Sequence, residues 1–227
     1  MTLILENLAG FDKTFRVGNK YADKGKWMEE KDELNKWLHN GSKTIANAGG
    51  IRYQSYDKID LTFYESKTIP PYMILMTAQI NTEFDNPWKD NIDMDNKIIK
   101  YWGDAKYKAK KSVLDFRGNN KVFEIWKIKK KYPELYPPFL HFTKVNRGVV
   151  KFNGVCFLKQ VEVRKFEDKL NPVENLLLIL EILDINPVPV KWLLGRSLAK
   201  DVNDLKKINP QVFNNALQGN SKKLKAF

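Results

Sequence analysis

Six lysines fall between residues 97 and 111 (Lys97, Lys100, Lys106, Lys108, Lys110 and Lys111), with Tyr101, Trp102 and Tyr107 interleaved among them. Ammonium groups beside flat rings suit a nucleic-acid surface, where lysine meets phosphate and an aromatic face meets a base. The plainer reading is a solvated lysine face whose rings turn inward. Downstream, Arg117 and Asn119 carry the side-chain types that pair bidentately with guanine and adenine in a major groove. The same region offers a second chemistry. Asp104-Ala105-Lys106 has the form of a nuclease strand ending in Asp-x-Lys, with Asp85, Asp90, Asp93 and Asp95 upstream as further Mg²⁺ ligands. Three positions are a short motif in a chain this rich in Lys and Asp. The sequence holds no Gly-rich phosphate cradle and no Gly-x-Ser-x-Gly elbow, and its two histidines, His39 and His141, are too isolated for a zinc site.

The whole chain agrees with a polyanionic partner. Its 227 residues include 39 Lys plus Arg against 27 Asp plus Glu, a net charge of +12 and a pI near 9.5, and each phosphate that such cations neutralise releases counterions. Hydrophobic residues make up 43%, which supplies a core and excludes a wholly disordered basic tail. No apolar run approaches the ~20 residues of a membrane span, so no membrane partner is expected. Met1–Gly10 lacks the basic start and cleavage site of a secretory signal. The single cysteine, Cys156, lies in an apolar run and reads as a buried, inert thiol. A soluble, cytoplasmic, metal-free protein is expected, with no cofactor needed for binding.

The elements that must position these residues are mostly strands. Ile51–Tyr53, 59–64, 72–77, 98–102, 139–142, 149–152 and 155–158 are short, β-branched or aromatic, and bounded by Gly, Pro, Asn or Asp. Asn146-Arg147-Gly148 reads as a turn, and Asn153-Gly154 as a hairpin. Trp27, Leu34, Trp37 and Leu38 form one stripe of a helix over 20–40 that Asn40-Gly41 stops; this tryptophan pair belongs to the core, with base stacking as the alternative. Shorter helices are expected over 121–131 and 191–199. Leu176–Leu183 suits either a helix or a strand buried on both faces. From Asp201 the chain reads as a polar tail, part of something longer.

The order of motifs resembles a known family. Gly50-Ile51-Arg52, Asn86-Pro87-Trp88-Lys89-Asp90, Tyr101-Trp102-Gly103-Asp104-Ala105-Lys106, Arg117-Gly118-Asn119, Pro137-Pro138-Phe139, Val150–Val155 and Val190-Lys191-Trp192-Leu193 follow one another. The series is similar to the DNA-recognition domain of restriction endonucleases of the AspBHI and NgoAVII kind, related to the plant B3 domain and to SRA modified-base readers. The resemblance implies a mainly β, α+β fold, an open β-pseudobarrel with flanking helices that include an N-terminal one, and it makes residues 174–185 a barrel strand. It divides the chain into an N-terminal helical extension (1–44), a recognition pseudobarrel (45–200) and a polar tail or linker start (201–227). It further implies sequence- or modification-dependent binding of double-stranded DNA. Cleavage, with its Mg²⁺, then belongs to a nuclease domain or subunit elsewhere, and any homodimer forms through the parent protein. Expected DNA contacts are Arg52, Trp88, Tyr101, Trp102, Lys106, Lys108, Arg117, Asn119 and Lys121. Asp104 reads either as a buried acceptor that fixes its loop or, with Lys106, as the catalytic pair of a chain that is itself a nuclease. Gly103 and Gly118 read as positions of positive φ. Flipping of a modified cytosine into a pocket and readout through the groove both remain open, with groove readout favoured.

Overall fold

In the computed structural model, residues 12–23, 32–38, 50–53, 69–78, 88–105, 111–166 and 173–223 are described. Among these residues ten strands form: β1 Thr14–Phe15, β2 Lys20–Ala22, β3 Ile51–Tyr53, β4 Met73–Ala78, β5 Asn91–Asp93, β6 Ile98–Trp102, β7 Phe139–Asn146, β8 Val149–Phe166, β9 Val173–Ile182 and β10 Val188–Pro189. Eight share one sheet in the order β3-β4-β7-β8-β9-β6-β5, with β2 pairing β8 off this path, while β1 pairs β10 separately. The path does not close on itself, so the fold is the expected open, mainly β pseudobarrel. The α-helices among the described residues are α1 Glu33–Leu38, α2 Arg117–Lys131, α3 Val190–Leu198, α4 Val202–Ile208 and α5 Gln211–Lys223. No helix among the described residues is long and apolar enough to cross a membrane.

The leucine-rich run is a strand because both its edges are used: β9 pairs β8 on one side and β6 on the other. Its burial alternates: Leu176, Leu178 and Leu180 on one face are fully buried, whereas Leu177 and Ile179 on the other are half-buried and Glu181 is exposed, so it is a strand with one core face rather than one buried on both. β4 and β7 run parallel and the other described pairings are antiparallel; the chain between them crosses to the far end of the same sheet, where it lays down β5 and β6 beside β9, before returning to pair with β4.

Three expectations are corrected. The helix expected over 20–40 does not start at Lys20: Lys20–Ala22 pairs instead with Val149–Lys151 of β8 and Tyr21 packs edge-on against Phe15 and Trp37, because the sheet edge outweighs helix propensity there, and the described helical part is α1. Asn153-Gly154 makes no hairpin. The register slips between His141 and Phe142, leaving Asn153 as the extra residue of a β-bulge, and Gly154 holds φ +137° within a continuing strand. The residues from Asp201 are not a loose tail: Leu205 and Phe213 are fully buried, and Phe213 meets Trp192 and Phe157 edge to face. The buried Arg196 of α3 ties this end to the barrel, donating to the carbonyls of Pro71 and Tyr136 and to Asn209 Oδ1. The expected strand over 59–64, together with Trp27, lies outside the described residues.

A Cβ on Gly154 would approach Ile182 Cγ2 to 2.8 Å on a backbone that L-residues rarely adopt. Gly154→Ala is therefore expected to lower the unfolding free energy by about 1–3 kcal/mol, read as a shift of the urea midpoint.

Candidate nucleic-acid interface

Residues 88–105 form the densest constellation. Trp88 and Trp102 stack with centroids 4.7 Å apart and planes 30° from parallel. Trp102 is clamped twice more: its backbone N–H donates to Asp90 Oδ1 at 2.8 Å and its indole Nε1–H to the Lys89 carbonyl at 3.1 Å. Antiparallel pairing of β6 with β9 holds it from behind. Asp90 is half-buried, and its Oδ2 accepts from the Thr77 hydroxyl at 2.6 Å. Burial pushes its carboxyl pKa up to about 6, although both hydrogen bonds oppose the shift. The site thus joins a stacked pair of rings to a carboxyl whose charge is costly to keep.

Behind it, buried asparagines hold the next turn. Asn119 Oδ1 accepts from the Asp104 backbone N–H at 2.7 Å, and its Nδ2 donates to the Val113 carbonyl at 3.0 Å and Asn175 Oδ1 at 3.2 Å. Asn175 Nδ2 in turn donates to the Gly103 carbonyl at 3.0 Å. Gly103 and Gly118 are not at positive φ; they are glycines because of close approach. A Cβ on Gly103 would lie 2.1 Å from Asn119 Oδ1, and one on Gly118 2.1 Å from Asp104 Oδ2. The Asp104 carboxylate accepts the backbone N–H groups of Gly50 and Ile51, each at 3.2 Å, which is the loop-fixing reading of this residue. No group of three His, Cys, Asp or Glu among the described residues is placed to hold a metal ion, and nothing in the geometry favours the nuclease alternative.

The expected contact residues therefore separate into two sets. Asn119 is 0% exposed and Tyr101 2%, and burial together with Asp90 and Asp104 holds the Tyr101 phenol far above its ordinary pKa; both shape the barrel rather than its surface. Arg52 is also nearly buried, in an ion pair with Asp23 at 2.9 Å. Trp88 is buried beneath Trp102, which keeps part of its surface. Arg117 is exposed at the start of α2; its Nε donates to the Tyr53 hydroxyl at 2.8 Å and its guanidinium lies 5.2 Å from the ring centre. Lys121 stands one turn on, 5.7 Å from the same ring and ion-paired with Glu124 at 2.9 Å. The first turn of α2 has no acidic residue, so the positive end of its dipole adds to these cations. Lys106, Lys108 and Asp85 lie outside the described residues.

Sequence reasoning did not find Thr77, His141, Asn153 or Asn175, and it read Asp90 only as a metal ligand. Their signal is slight: each is a single polar residue in or beside an apolar strand, such as His141 between Leu140 and Phe142.

A family model described as the N-terminal domain of restriction endonuclease AspBHI matches residues 15–226. The fold is similar to MspJI restriction endonuclease in complex with a 27-mer oligonucleotide (TM-score 0.69, 17% identity, 96% of this chain and 56% of that one). It is similar also to AspBHI, a DNA modification-dependent restriction endonuclease (0.67, 19%, 93% and 51%). A third likeness is to the DNA recognition domain of LpnPI, a cytosine modification-dependent restriction endonuclease (0.62, 19%, 92% and 86%). The chain spans about half the length of the first two. No curated protein matches it.

Proposed function

The chain belongs to the AspBHI restriction endonuclease N-terminal family, and from that premise we propose that it is a target-recognition module which binds double-stranded DNA and reads a modified cytosine. The observation that carries this reading is the Trp88–Trp102 stack with the Asp90 carboxyl at its edge. A carboxylate accepts from the exocyclic amino group of cytosine, and a partly exposed indole offers the base a face to stack on. Because Asp90 is recessed beside Trp102, it suits a base swung out of the helix better than an edge read in the groove; this reverses the preference drawn from sequence. Arg117 and Lys121 grip phosphate at the α2 N-terminus. The dependence of AspBHI and LpnPI on DNA or cytosine modification supports the choice of base. Cleavage, with the Mg²⁺ that phosphodiester hydrolysis uses, is assigned to another domain or subunit of a cytoplasmic system, and self-association to the parent protein.

Anisotropy titrations with methylated and unmethylated duplexes at 50–200 mM salt test this. Affinity is expected to fall along a straight log–log line and to favour the methylated duplex. Arg117→Ala is expected to weaken both duplexes equally and to reduce the salt slope by about one. Equal, salt-independent binding of both duplexes contradicts the reading.

A further inference from the structure

Beside Asp90 runs a line of polar side chains inside an otherwise apolar sheet. Thr77 on β4, His141 and Thr143 on β7 and Asn153 at the β8 bulge are all buried, so each proton among them needs a partner within the line. Asn153 Nδ2 lies 2.9 Å from His141 Nδ1 and 2.7 Å from Thr143 Oγ1, and its two N–H bonds serve these two acceptors. Nδ1 of His141 then carries no proton. Burial holds the ring neutral by pushing its pKa down to about 3, which places its one proton on Nε2. That N–H points to Thr77 Oγ1 at 3.0 Å, leaving the Thr77 hydroxyl proton for Asp90 Oδ2 at 2.6 Å.

The hydrogen bonds therefore run one way, from the bulge to the carboxyl. Turning over the Asn153 amide reverses every bond in the line and ends on an Asp90 that must itself be protonated. One orientation makes Asp90 an acceptor only; the other makes it a donor.

The distinction matters because 5-methylcytosine and thymine carry the same methyl group. They differ at position 4, where cytosine has an amino donor and thymine a carbonyl acceptor. A reader that senses the methyl alone accepts thymine wherever it occurs. Resting on the reading of Asp90 as the group that meets the base, we propose that Asn153, His141 and Thr77 are positioning residues that hold Asp90 as an acceptor-only carboxylate, so that the module takes 5-methylcytosine and rejects thymine. Opposite thymine the carboxylate and the carbonyl are two desolvated acceptors facing one another, and rejection follows from that mismatch.

The experiment uses a duplex selected from a methylated random pool, with the target position made 5-methylcytosine, cytosine or thymine, each opposite guanine. A mispaired thymine flips more readily than a paired base, so this comparison is stringent. The wild-type chain is expected to prefer 5-methylcytosine to thymine by about 10-fold or more. Thr77→Val, which keeps the shape and removes the hydroxyl, is expected to bring that ratio to within about threefold of unity; Thr77→Ser is expected to restore it. Long-range ¹H–¹⁵N spectra of the wild-type protein are expected to show His141 protonated on Nε2. A wild type indifferent to methylation defeats the functional reading and this proposal with it. A wild type that prefers 5-methylcytosine to cytosine but binds thymine equally well defeats the positioning role alone, as does an unchanged ratio in Thr77→Val. Should that variant fail to fold, a proton on Nδ1 of wild-type His141 overturns the proposal and one on Nε2 upholds it.

Discussion

Replacing Asn119 by alanine is expected to lower the unfolding free energy by about 2–5 kcal/mol, measured by urea denaturation. The loss has identifiable parts. The Asp104 N–H and the Val113 carbonyl both lose their side-chain partner, and Asn175 loses one of its donors. Each buried polar group left without a partner costs about 1–3 kcal/mol, and the small side chain leaves a void as well. The effect is on folding rather than on contact with DNA, although Asn119 sits in the segment that looks most like a base reader. Comparison with Arg117→Ala separates the two roles: Arg117, two residues earlier and exposed, is expected to weaken binding with little change in the urea midpoint.

The second large effect is at Asp90. Asp90→Asn is expected to reduce affinity for the methylated duplex about 100-fold, since a hydrogen bond to a charged acceptor is worth about 1.5–3 kcal/mol and the amide presents a donor where an acceptor is needed. The same variant is expected to be more stable than the parent chain at pH 8. The folded carboxyl has its pKa raised to about 6 from 3.8, so between these values the folded state holds more protons than the unfolded one. Stability therefore falls as pH rises through this window, and the whole penalty is present above pH 6. Asparagine carries no charge and escapes it, gaining about 1–3 kcal/mol at pH 8 and little below pH 4. Denaturation series at the two pH values test the sign, and an Asp90→Asn chain less stable at pH 8 than at pH 4, relative to wild type, contradicts it. A site that weakens the fold in order to keep a charged group beside its ligand is a familiar trade.

Much of the frame is legible in the amino acids because burial writes itself as composition. Ile51–Tyr53 and Ile98–Trp102 are strands where the aromatic and β-branched runs place them, and α3 runs from Val190 to Leu198, one residue from its expected bounds. What stays hidden is decided by distant partners. Two- and three-residue strands such as β1 and β2 carry no periodicity of their own; they exist because β10 and β8 offer free edges. Asn153-Gly154 has the local chemistry of a turn, but Val155 and Cys156 pair onward with Leu140 and Phe139, and the conflict is resolved as a bulge. The polar composition after Asp201 conceals the apolar stripe of α4 and α5, formed by Leu205, Phe213 and Leu217. At the site, Trp102 and Arg117 are conspicuous by type, whereas Asp90 gains its character from Thr77 and Trp102, a proximity that spacing along the chain does not encode.

The parallel pairing of β4 with β7 has a consequence for how such readers diversify. Thr77 and His141, far apart along the chain, meet at 3.0 Å, yet the stretch between them is no detachable insert: its β6 pairs β9, and its Ile99, Tyr101 and Val122 fill the core. Removing it would strip β9 of an edge partner. A different chemical mark on DNA is therefore more readily accommodated by point changes around Asp90 and Trp102 than by wholesale exchange of that stretch of the gene.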